Sequence, residues 1–573
     1  MAQSLTAKSA IPAGVTPGED EVAHLDLKQL IPVLIGLMLG MLLAALDQTV
    51  VGTAMPHVVA SLGGQNNLSW VYTAYLLAST VGVPIYGKLS DIYGRRIFFL
   101  GGMVVFLAGS ALSGASQNMT ELIAFRAIQG LGAGALMPIA QAAIGDIFPP
   151  AERGKWQGLF VSVFGLATIV GPLLGGWLTD NGPVLGSLVT DTTRWRWVFY
   201  VNMPVGALAL ITAGLTLPRQ FHRRRHVIDY IGSTLLIVWA VPLLLAVSLG
   251  GQTYAWGSWQ IISLFAVAAA GLIAFLFAEF RATEPIINPR LFKNSIFTVS
   301  TMTMFLVSAG MFGAILFLPY FTQDVLNETA TNSGVVLTPM MLGFMFSSIV
   351  GGQLLSRTGR YKIIALVGFA VATAGMFLLS QMTVNTSNGE LVRNMVITGL
   401  GIGVMMSLFT IVVQNAFPLS KIGEVTASLS FFRSMGATIG LAVLGSVLTN
   451  TLPTNIENNL PAALKKIIPS SQISSGLGNP SSGGGSSLQQ AFAKFGPEGQ
   501  ILYQQFEHAI RVGLAQSLTE MFFIGAVIMA FGFMLTLFLR EIPLRKGRGP
   551  AESAPQAAQD IAEVAPVEPV LMD

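Results

Sequence analysis

Long apolar segments alternate with short polar loops along this chain, and this pattern limits the folds open to it. Hydrophobic residues make up 52% of the 573 residues and charged residues only 10%, whereas a soluble chain carries about 25% charged residues. A bilayer core about 30 Å thick needs about 20 apolar residues in a helix. Fourteen segments between Ile31 and Leu539 meet or approach that length. We therefore predict an all-α membrane protein with fourteen transmembrane helices.

Basic residues are concentrated in the loops that follow the even-numbered segments. These loops hold, for example, Arg153 and Lys155 and the run Arg223 to Arg225. The short loops on the other side carry Arg194, Arg196 and Arg393. Lys and Arg are retained on the cytoplasmic side of a membrane. We therefore predict a multi-pass protein of the cell membrane with both termini in the cytoplasm.

Two short runs in the chain share one skeleton. GKLSDIYGRR (Gly87 to Arg96) and GQLLSRTGRYK (Gly352 to Lys362) each contain a glycine, a second glycine seven residues later and then basic residues. Ser356 stands in the second run where the first has Asp91. The runs follow the second and the tenth apolar segment, so segments 1 to 6 and 9 to 14 are predicted to be repeats, with segments 7 and 8 inserted between them.

The first run has the composition of a conformational gate. Its glycines permit a tight turn, and its charged side chains can pair with each other or cap neighbouring helices. We assign this gate, which would hold the inner side closed in the outward-facing state, to Gly87, Asp91, Gly94, Arg95 and Arg96. The alternative is a set of solvated surface charges.

The segments and repeats divide the chain into parts. The predicted parts are a cytoplasmic tail at 1–30, an N-terminal six-helix bundle at 31–217, two inserted transmembrane helices at 227–278, a C-terminal six-helix bundle at 295–539 and a cytoplasmic tail without fixed structure at 540–573. Within the C-terminal bundle, residues 451–511 are predicted to form a long extracellular loop, flexible at its Gly/Ser-rich centre and with short helices at its flanks.

Several motifs occur in the order typical of one transporter family. They are LDQTVVGTAMP (Leu46 to Pro56), RAIQGLGAG (Arg126 to Gly134), GLATIVGPLLGGWL (Gly165 to Leu178), WRWVFYVNMPVG (Trp195 to Gly206) and SFFRSMGATIGLAVLG in the thirteenth segment. The chain resembles the major facilitator superfamily, in particular its fourteen-helix branch of drug:proton antiporters. The resemblance implies a proton-coupled exporter of lipophilic, cationic or neutral compounds that works by alternating access. A lipid, siderophore or secreted metabolite remains an alternative cargo.

Two charged residues within the apolar segments are candidates for proton coupling. A charged side chain at the bilayer centre costs about 2.5 to 3.5 kcal/mol on insertion scales, so such residues face a cavity or a partner. Asp47 in the first segment and Arg126 in the fourth are predicted at similar depths, and Arg126 would hold an empty Asp47 ionised. Asp47 lies within the resembling motif, which favours proton coupling. The alternative is a static ion pair, and for Arg126 alone both interpretations stand equally.

Further charges have weaker assignments. Arg433 in the thirteenth segment is an auxiliary-charge candidate, or it bonds to carbonyls or to a lipid headgroup by snorkelling. Glu520 in the fourteenth is either an auxiliary proton site or an acid that complements the positive start of its helix. The resemblance also marks an antiporter motif in the fifth segment: Gly165, Gly171, Pro172, Gly175 and Gly176. Its small residues let another helix approach closely; the alternative is ordinary packing.

Substrate contacts are predicted on the segments expected to line the cavity, namely at Trp70, Tyr72, Tyr75 and Gln129. The expected partners are a small lipophilic substrate, protons and the lipid bilayer, without nucleic acid. A membrane-embedded enzyme would need clustered ligands or a nucleophile with its base. The five histidines have no metal-ligand spacing, and we expect no enzymatic activity, no cofactor and no metal site.

Overall fold

The computed structural model describes residues 27–63, 68–186, 189–218, 228–251, 253–326, 337–418, 421–465 and 496–544. Helices dominate these residues. The long ones are α1 (Leu27–Leu62), α2 (Leu68–Tyr93), α3 (Arg95–Ala115), α4 (Met119–Ile147), α5 (Pro150–Asn181), α6 (Asn202–Thr216), α7 (Tyr230–Leu249), α8 (Trp259–Arg281), α9 (Ser295–Tyr320), α10 (Thr338–Thr358), α11 (Tyr361–Ser380), α12 (Asn388–Ala416), α13 (Ile422–Asn459) and α14 (Gly496–Thr536).

Most of these helices can cross a bilayer. Among the described residues, thirteen spans are long and apolar enough to do so, and they correspond to α1 and to α3 through α14. The remaining long helix, α2, has 26 residues and packs against α3, α4 and α13. It therefore belongs to the same bundle. The prediction of an all-α membrane protein is confirmed.

Helix packing repeats along the chain with an offset of eight helices. In the first half, α1 packs against α5 and α6, α2 against α4, and α3 against α4 and α6. In the second half, α9 packs against α13 and α14, α10 against α12, and α11 against α12 and α14. Two contacts join the halves, α2 with α13 and α5 with α10. The offset of eight helices relates these two contacts to each other, because α2 corresponds to α10 and α5 to α13. A twofold axis between two six-helix bundles produces this pattern. We call α1 to α6 the N-terminal bundle and α9 to α14 the C-terminal bundle.

The second glycine of each repeated run forms a turn. Gly94 lies between α2 and α3 with a φ of 98°, and Gly359 follows α10 with a φ of 69°. Glycine adopts positive φ readily because it has no Cβ, whereas other residues are strained there. The turns join equivalent helices of the two bundles. We call the side of the molecule that carries Gly94 and Gly359 the hinge-loop side.

The first glycine of each run lies where the two bundles touch. A Cβ added at Gly87 would overlap Ala427 of α13, and a Cβ added at Gly352 would overlap the carbonyl oxygen of Gly154 in α5. These positions are equivalent under the offset of eight helices. The skeleton shared by the two runs thus encodes a turn and a close approach between bundles.

The inserted helices α7 and α8 form a hairpin that spans both bundles. Trp239 of α7 packs edge to face on Phe431 of α13, with ring centroids 5.9 Å apart, and the same buried cluster includes Val81 and Val83 of α2. Lys88 at the end of α2 forms an ion pair with Glu284, just after α8, at 3.3 Å. The hairpin therefore covers the contact between α2 and α13.

The helices differ from the predicted segments at several ends. The run predicted as the gate loop is helical up to Tyr93, and only Gly94 separates α2 from α3. The sixth segment is interrupted: a 3-10 turn (Asp191–Arg196) and a short helix (Trp197–Tyr200) precede α6. Pro204 in the first turn of α6 has no N–H to donate to the carbonyl four residues earlier, which weakens the helix at that point.

The predicted extracellular loop at 451–511 is helical at both ends. α13 continues to Asn459, a short helix follows at Ala462–Lys465, and α14 begins at Gly496. The centre of this loop, residues 466–495, lies outside the described residues, as do most of the two predicted tails. The interpretation of Glu520 as an acid at the start of its helix is wrong, because α14 begins 24 residues before it.

Candidate functional site

A polar cluster lies in the interior of the N-terminal bundle, centred on Asp47 of α1. One guanidinium nitrogen of Arg126, Nη1, lies 2.6 Å from Asp47 Oδ2. The other carboxylate oxygen, Oδ1, accepts hydrogen bonds from Gln129 Nε2 at 2.8 Å and from Asn202 Nδ2 at 3.1 Å. All four side chains are buried, with Asp47 fully inaccessible. The structure therefore brings the two predicted charges into direct contact.

Neighbouring groups fix the orientation of this cluster. Asn202 Nδ2 also bonds to Ser110 Oγ at 3.0 Å, and Ser110 Oγ donates to the carbonyl of Phe199 at 2.9 Å. The guanidinium of Arg126 lies over the ring of Tyr75, 4.2 Å from its centroid, and donates to Gln129 Oε1 at 2.8 Å. Tyr75 and Gln129, predicted as substrate contacts, therefore lie in the shell around the ion pair.

The sequence explains how each helix positions its member of the cluster. Arg126 and Gln129 are three residues apart on α4, so they project from one face of that helix. Asn202 begins α6 directly after the interruption at Val201. Sequence reasoning missed Asn202 and Ser110, although Asn202 stands within the WRWVFYVNMPVG motif. A polar amide between apolar residues, two positions before a proline, was the available signal.

This arrangement suits a carboxylate that gains and loses a proton. An ionised carboxylate only accepts hydrogen bonds, whereas a protonated one must also donate. Asp47 faces donors from Arg126, Gln129 and Asn202, so adding a proton removes the charge pairing and places a donor against donors. The Nε of Arg126 and the Oδ1 of Asn202 are buried without a hydrogen-bond partner in the described residues. The cluster can therefore rearrange toward other partners.

The predicted gate forms a charged network on the hinge-loop side. Arg95 forms an ion pair with Asp91, a second with Asp146 of α4 at 2.9 Å, and a hydrogen bond to Ser90 Oγ at 2.8 Å. Arg96 donates instead to the carbonyl of Leu217 at 3.0 Å, within its own bundle. Asp91 and Arg95 thus act as one unit, and Arg96 does not join it.

Asp91 also crosses to the other bundle. Its carboxylate lies directly against Gly423 in the first turn of α13, where a side chain would overlap it. The first turn of a helix has free N–H groups and carries partial positive charge. Asp91 therefore stabilises the contact between α2 and α13. At the equivalent seam, the uncharged Ser356 lies against Gly154 near the start of α5.

Next to the gate, uncharged side chains connect the bundles. Gln414 Nε2 of α12 donates to the carbonyl of Gln141 in α4 at 3.3 Å, and Ser430 Oγ of α13 contacts Gln141 Oε1 at 3.4 Å. Arg153 is buried here, with Nε bonded to the carbonyl of Phe148 at 2.8 Å. We call these residues the inner polar layer. Sequence reasoning had treated Arg153 only as a loop charge.

The glycines of the α5 motif contact two different partners. A side chain at Gly171 would overlap Thr49 of α1, and one at Gly175 would overlap Thr53. Gly165 instead faces Met345 of α10 in the other bundle, while Gly176 has open space beside it. Pro172 lies inside the helix. The motif therefore brings α5 close to α1 on one face and to α10 on another.

In the described part of the chain, no hydrogen bond or ion pair joins the remaining predicted residues to Asp47 or Arg126. Arg433 is half-buried and contacts Met137 across the bundles. Glu520 lies 3.4 Å from Asn455 Nδ2 of α13. Trp70 and Tyr72 are half-buried on α2, one to two turns before Tyr75. The structure does not bring Arg433 or Glu520 to Asp47.

We expect Asp91→Asn to slow transport without weakening substrate binding. An amide keeps the shape but loses the charge that faces the start of α13, an interaction worth up to about 2 kcal/mol in partly buried sites. This is up to about a thirtyfold shift in the equilibrium between closed and open states. Binding affinity and turnover of purified, reconstituted protein should be compared with those of Asp191→Asn, whose exposed carboxylate pairs only locally with Arg194 in the described residues. Weaker binding with unchanged turnover would contradict the assignment.

The sequence of this chain is similar to those of known membrane transporters. The model of the Major Facilitator Superfamily matches residues 37–441. Multidrug transporter protein MdtP of Bacillus subtilis (strain 168) is 39% identical over 534 residues, which cover 92% of this chain and 96% of that protein. Multidrug resistance protein 3 of the same strain is 42% identical over 433 residues, 76% of this chain and 82% of that protein.

A solved structure supports the same fold. The human organic anion transporter MFSD10 (TETRAN) superposes with a TM-score of 0.55 at 14% identity, covering 88% of this chain and 99% of that one. The family match and the relatives confirm the predicted major facilitator fold and the prediction of a transporter and not an enzyme. The chain belongs to the Major Facilitator Superfamily of membrane transporters.

Proposed function

We propose that this protein is a proton-coupled antiporter that exports lipophilic, drug-like compounds across the cell membrane by alternating access. The observation that carries this proposal is the buried ion pair of Asp47 and Arg126, 2.6 Å apart. A carboxylate buried among apolar helices is costly unless it is paired. A residue of this kind that can also be neutralised by a proton is suited to coupling.

The coupling follows from the hydrogen bonds of Asp47. In the ionised state it accepts from Arg126, Gln129 and Asn202, which ties α1 to α4 and α6. A proton on the carboxyl cancels the charge that Arg126 pairs with and frees these donors. Two arrangements of the N-terminal bundle with different proton occupancy then result, as a proton-driven conformational cycle requires.

The contacts on the hinge-loop side correspond to one end of this cycle. α2 meets α13, and α5 meets α10, through glycines that let the backbones come close. The inner polar layer joins α4 to α12 and α13. If the hinge-loop side faces the cytoplasm, as the distribution of basic residues predicts, this is the state closed to the cytoplasm. Substrate would then be released outward and protons taken up by Asp47.

The names of the relatives support the cargo class. Two relatives that match most of this chain are named as multidrug proteins. The abundance of flexible and aromatic side chains, 24 Met and 35 Phe, suits varied apolar ligands, since thioethers adapt to irregular surfaces. We therefore favour drug-like lipophiles over one dedicated metabolite.

Reconstitution in vesicles tests the proposal. Purified protein in liposomes with an imposed pH gradient should accumulate a lipophilic dye such as ethidium against its own gradient, and the dye should dissipate the pH gradient in return. Collapsing the gradient with a protonophore should stop the accumulation. Dye accumulation that ignores the proton gradient would refute proton coupling. No transport of any apolar cation or neutral lipophile would transfer the assignment to a lipid, siderophore or metabolite cargo.

A further inference from the structure

Arg433 is a cation inside the membrane region, and the described residues offer it no anionic partner. It lies on α13, three turns into the helix, and is half-buried. Its Nη2 is 3.9 Å from Met137 Sδ of α4, across the boundary between the bundles. No carboxylate in the described part of the chain lies within ion-pair distance of it. Thioether sulfur is a weak acceptor, so the guanidinium is poorly satisfied.

Arg433 lies at the boundary between the bundles, close to the inner polar layer. Ser430, one turn earlier on α13, contacts Gln141 of the inner polar layer, and Met137 is one turn from Gln141 on α4. Gln129, which bonds Asp47, lies eight residues from Met137, about 12 Å along the helix. Arg433 therefore lies between the closed hinge-loop side and the proton site.

Half-buried apolar side chains lie near Arg433 at the boundary between the bundles. Met137 and Phe164 both pack against a buried apolar cluster that includes Leu46 and Val50 of α1. Phe164 of α5 contacts Phe312 of α9, with ring centroids 6.2 Å apart across the bundles. An apolar molecule placed between the bundles would meet these side chains, and Arg433 would be the polar group beside it.

A guanidinium within the membrane needs acceptors for its donors. It has five N–H donors in a planar fork, matched to carboxylates, and an uncompensated charge at this depth costs about 2.5 to 3.5 kcal/mol on insertion scales. In a transporter, a group left unsatisfied by the protein can be satisfied by the cargo.

We propose that Arg433 binds an anionic oxygen group of the transported compound, so that the substrates include amphiphiles with an apolar body and a carboxylate. This inference rests on the proposed function and narrows its substrate class. The carboxylate occupies the guanidinium while the apolar body contacts the aromatic and thioether side chains nearby. Asp47 of α1 stays free to exchange its proton because its contact with Gln129 lies about 12 Å farther along α4 than Met137.

A matched pair of dyes tests the proposal. Rhodamine 110 carries a free carboxylate, and rhodamine 123 is its methyl ester. In purified protein with zwitterionic lipid only, Arg433→Gln should weaken binding of rhodamine 110 at least tenfold and change binding of rhodamine 123 less than twofold. Arg433→Lys should fall in between, because lysine keeps the charge but loses the planar fork. Arg393→Gln, at an exposed arginine of the same bundle, is the control and should leave both affinities unchanged.

The outcomes separate this inference from the proposed function. Equal weakening of both dyes, no weakening of either, or wild-type protein that binds the ester but not the acid would overturn the role of Arg433. If Arg433→Gln affects the two dyes differently only after phosphatidylglycerol is added, Arg433 binds a lipid headgroup. That result would also overturn the proposal. Gradient-driven accumulation of ethidium by the wild type tests the antiporter separately. If the wild type does not accumulate ethidium, the proposed function is refuted, independently of the rhodamine binding results.

Discussion

Asp47→Asn is expected to reduce transport driven by a pH gradient to the level of protein-free vesicles while leaving the protein folded and inserted. Asparagine has nearly the shape of aspartate but cannot take up a proton. Its amide oxygen can still accept from Arg126 Nη1 or from Gln129 and Asn202, the groups that now surround the carboxylate. The substitution therefore tests the loss of proton binding with little change in side-chain packing. Dye accumulation under an imposed gradient, normalised to reconstituted protein, is the measurement.

Two further variants sharpen this test. Asp180→Asn changes an exposed carboxylate in the same bundle and should transport like the wild type. Arg126→Lys keeps a positive charge beside Asp47 but loses the planar guanidinium that contacts both Asp47 and Gln129, so it should retain partial activity with an altered pH profile. Full gradient-driven export by folded Asp47→Asn would show that the proton binds elsewhere.

Gly154→Val should shift the protein away from the state closed on the hinge-loop side. A Cβ at this position would overlap the backbone carbonyl of Gly352, and no rotamer change relieves an overlap with backbone. Over-packing costs about 1 to 3 kcal/mol, which is about a five- to 150-fold loss of the closed state. We expect transport to fall by a comparable factor while substrate binding persists.

Thiol labelling can report this shift directly, because the chain has no cysteine. A single cysteine replacing Ser430 is buried between the bundles in the closed state. It should react faster with a membrane-impermeant maleimide in Gly154→Val than in the parent. Gly176→Val makes the same change in the same helix where nothing lies within 4 Å and should not alter the labelling rate. Equal rates in both variants would mean that the glycine contact does not control opening.

The charged parts of the site could be predicted from the sequence, because a charge among apolar residues is rare and costly. Asp47 and Arg126 were found in this way, and the repeated glycine runs located the contacts between bundles. Two neutral members of the cluster, Ser110 and Asn202, were missed. A buried serine or asparagine in a helix carries no comparable penalty. Only the packing of α3 and α6 shows that Asn202 contacts Asp47 and that Ser110 contacts Asn202.

Hydropathy also did not predict where the helices end outside the membrane. α14 begins at Gly496, before the apolar segment that starts near Leu514, and α13 continues past the predicted end of its segment. Polar residues in water form helices when they have a partner to pack against, and here the partner is the other helix. Asn455 of α13 bonds to Ser517 of α14 at 3.0 Å. The predicted short helices at these flanks are therefore parts of α13 and α14, and which helix each packs against depends on the fold.

The hairpin of α7 and α8 makes the carrier unequal on its two flanks. It lies over the contact between α2 and α13, whereas no helix of the described residues outside the two bundles packs against the equivalent contact between α5 and α10. When the hinge-loop side opens, both contacts must separate. A compound dissolved in the adjoining leaflet would then find one flank shielded and a lateral entrance between α5 and α10 on the other.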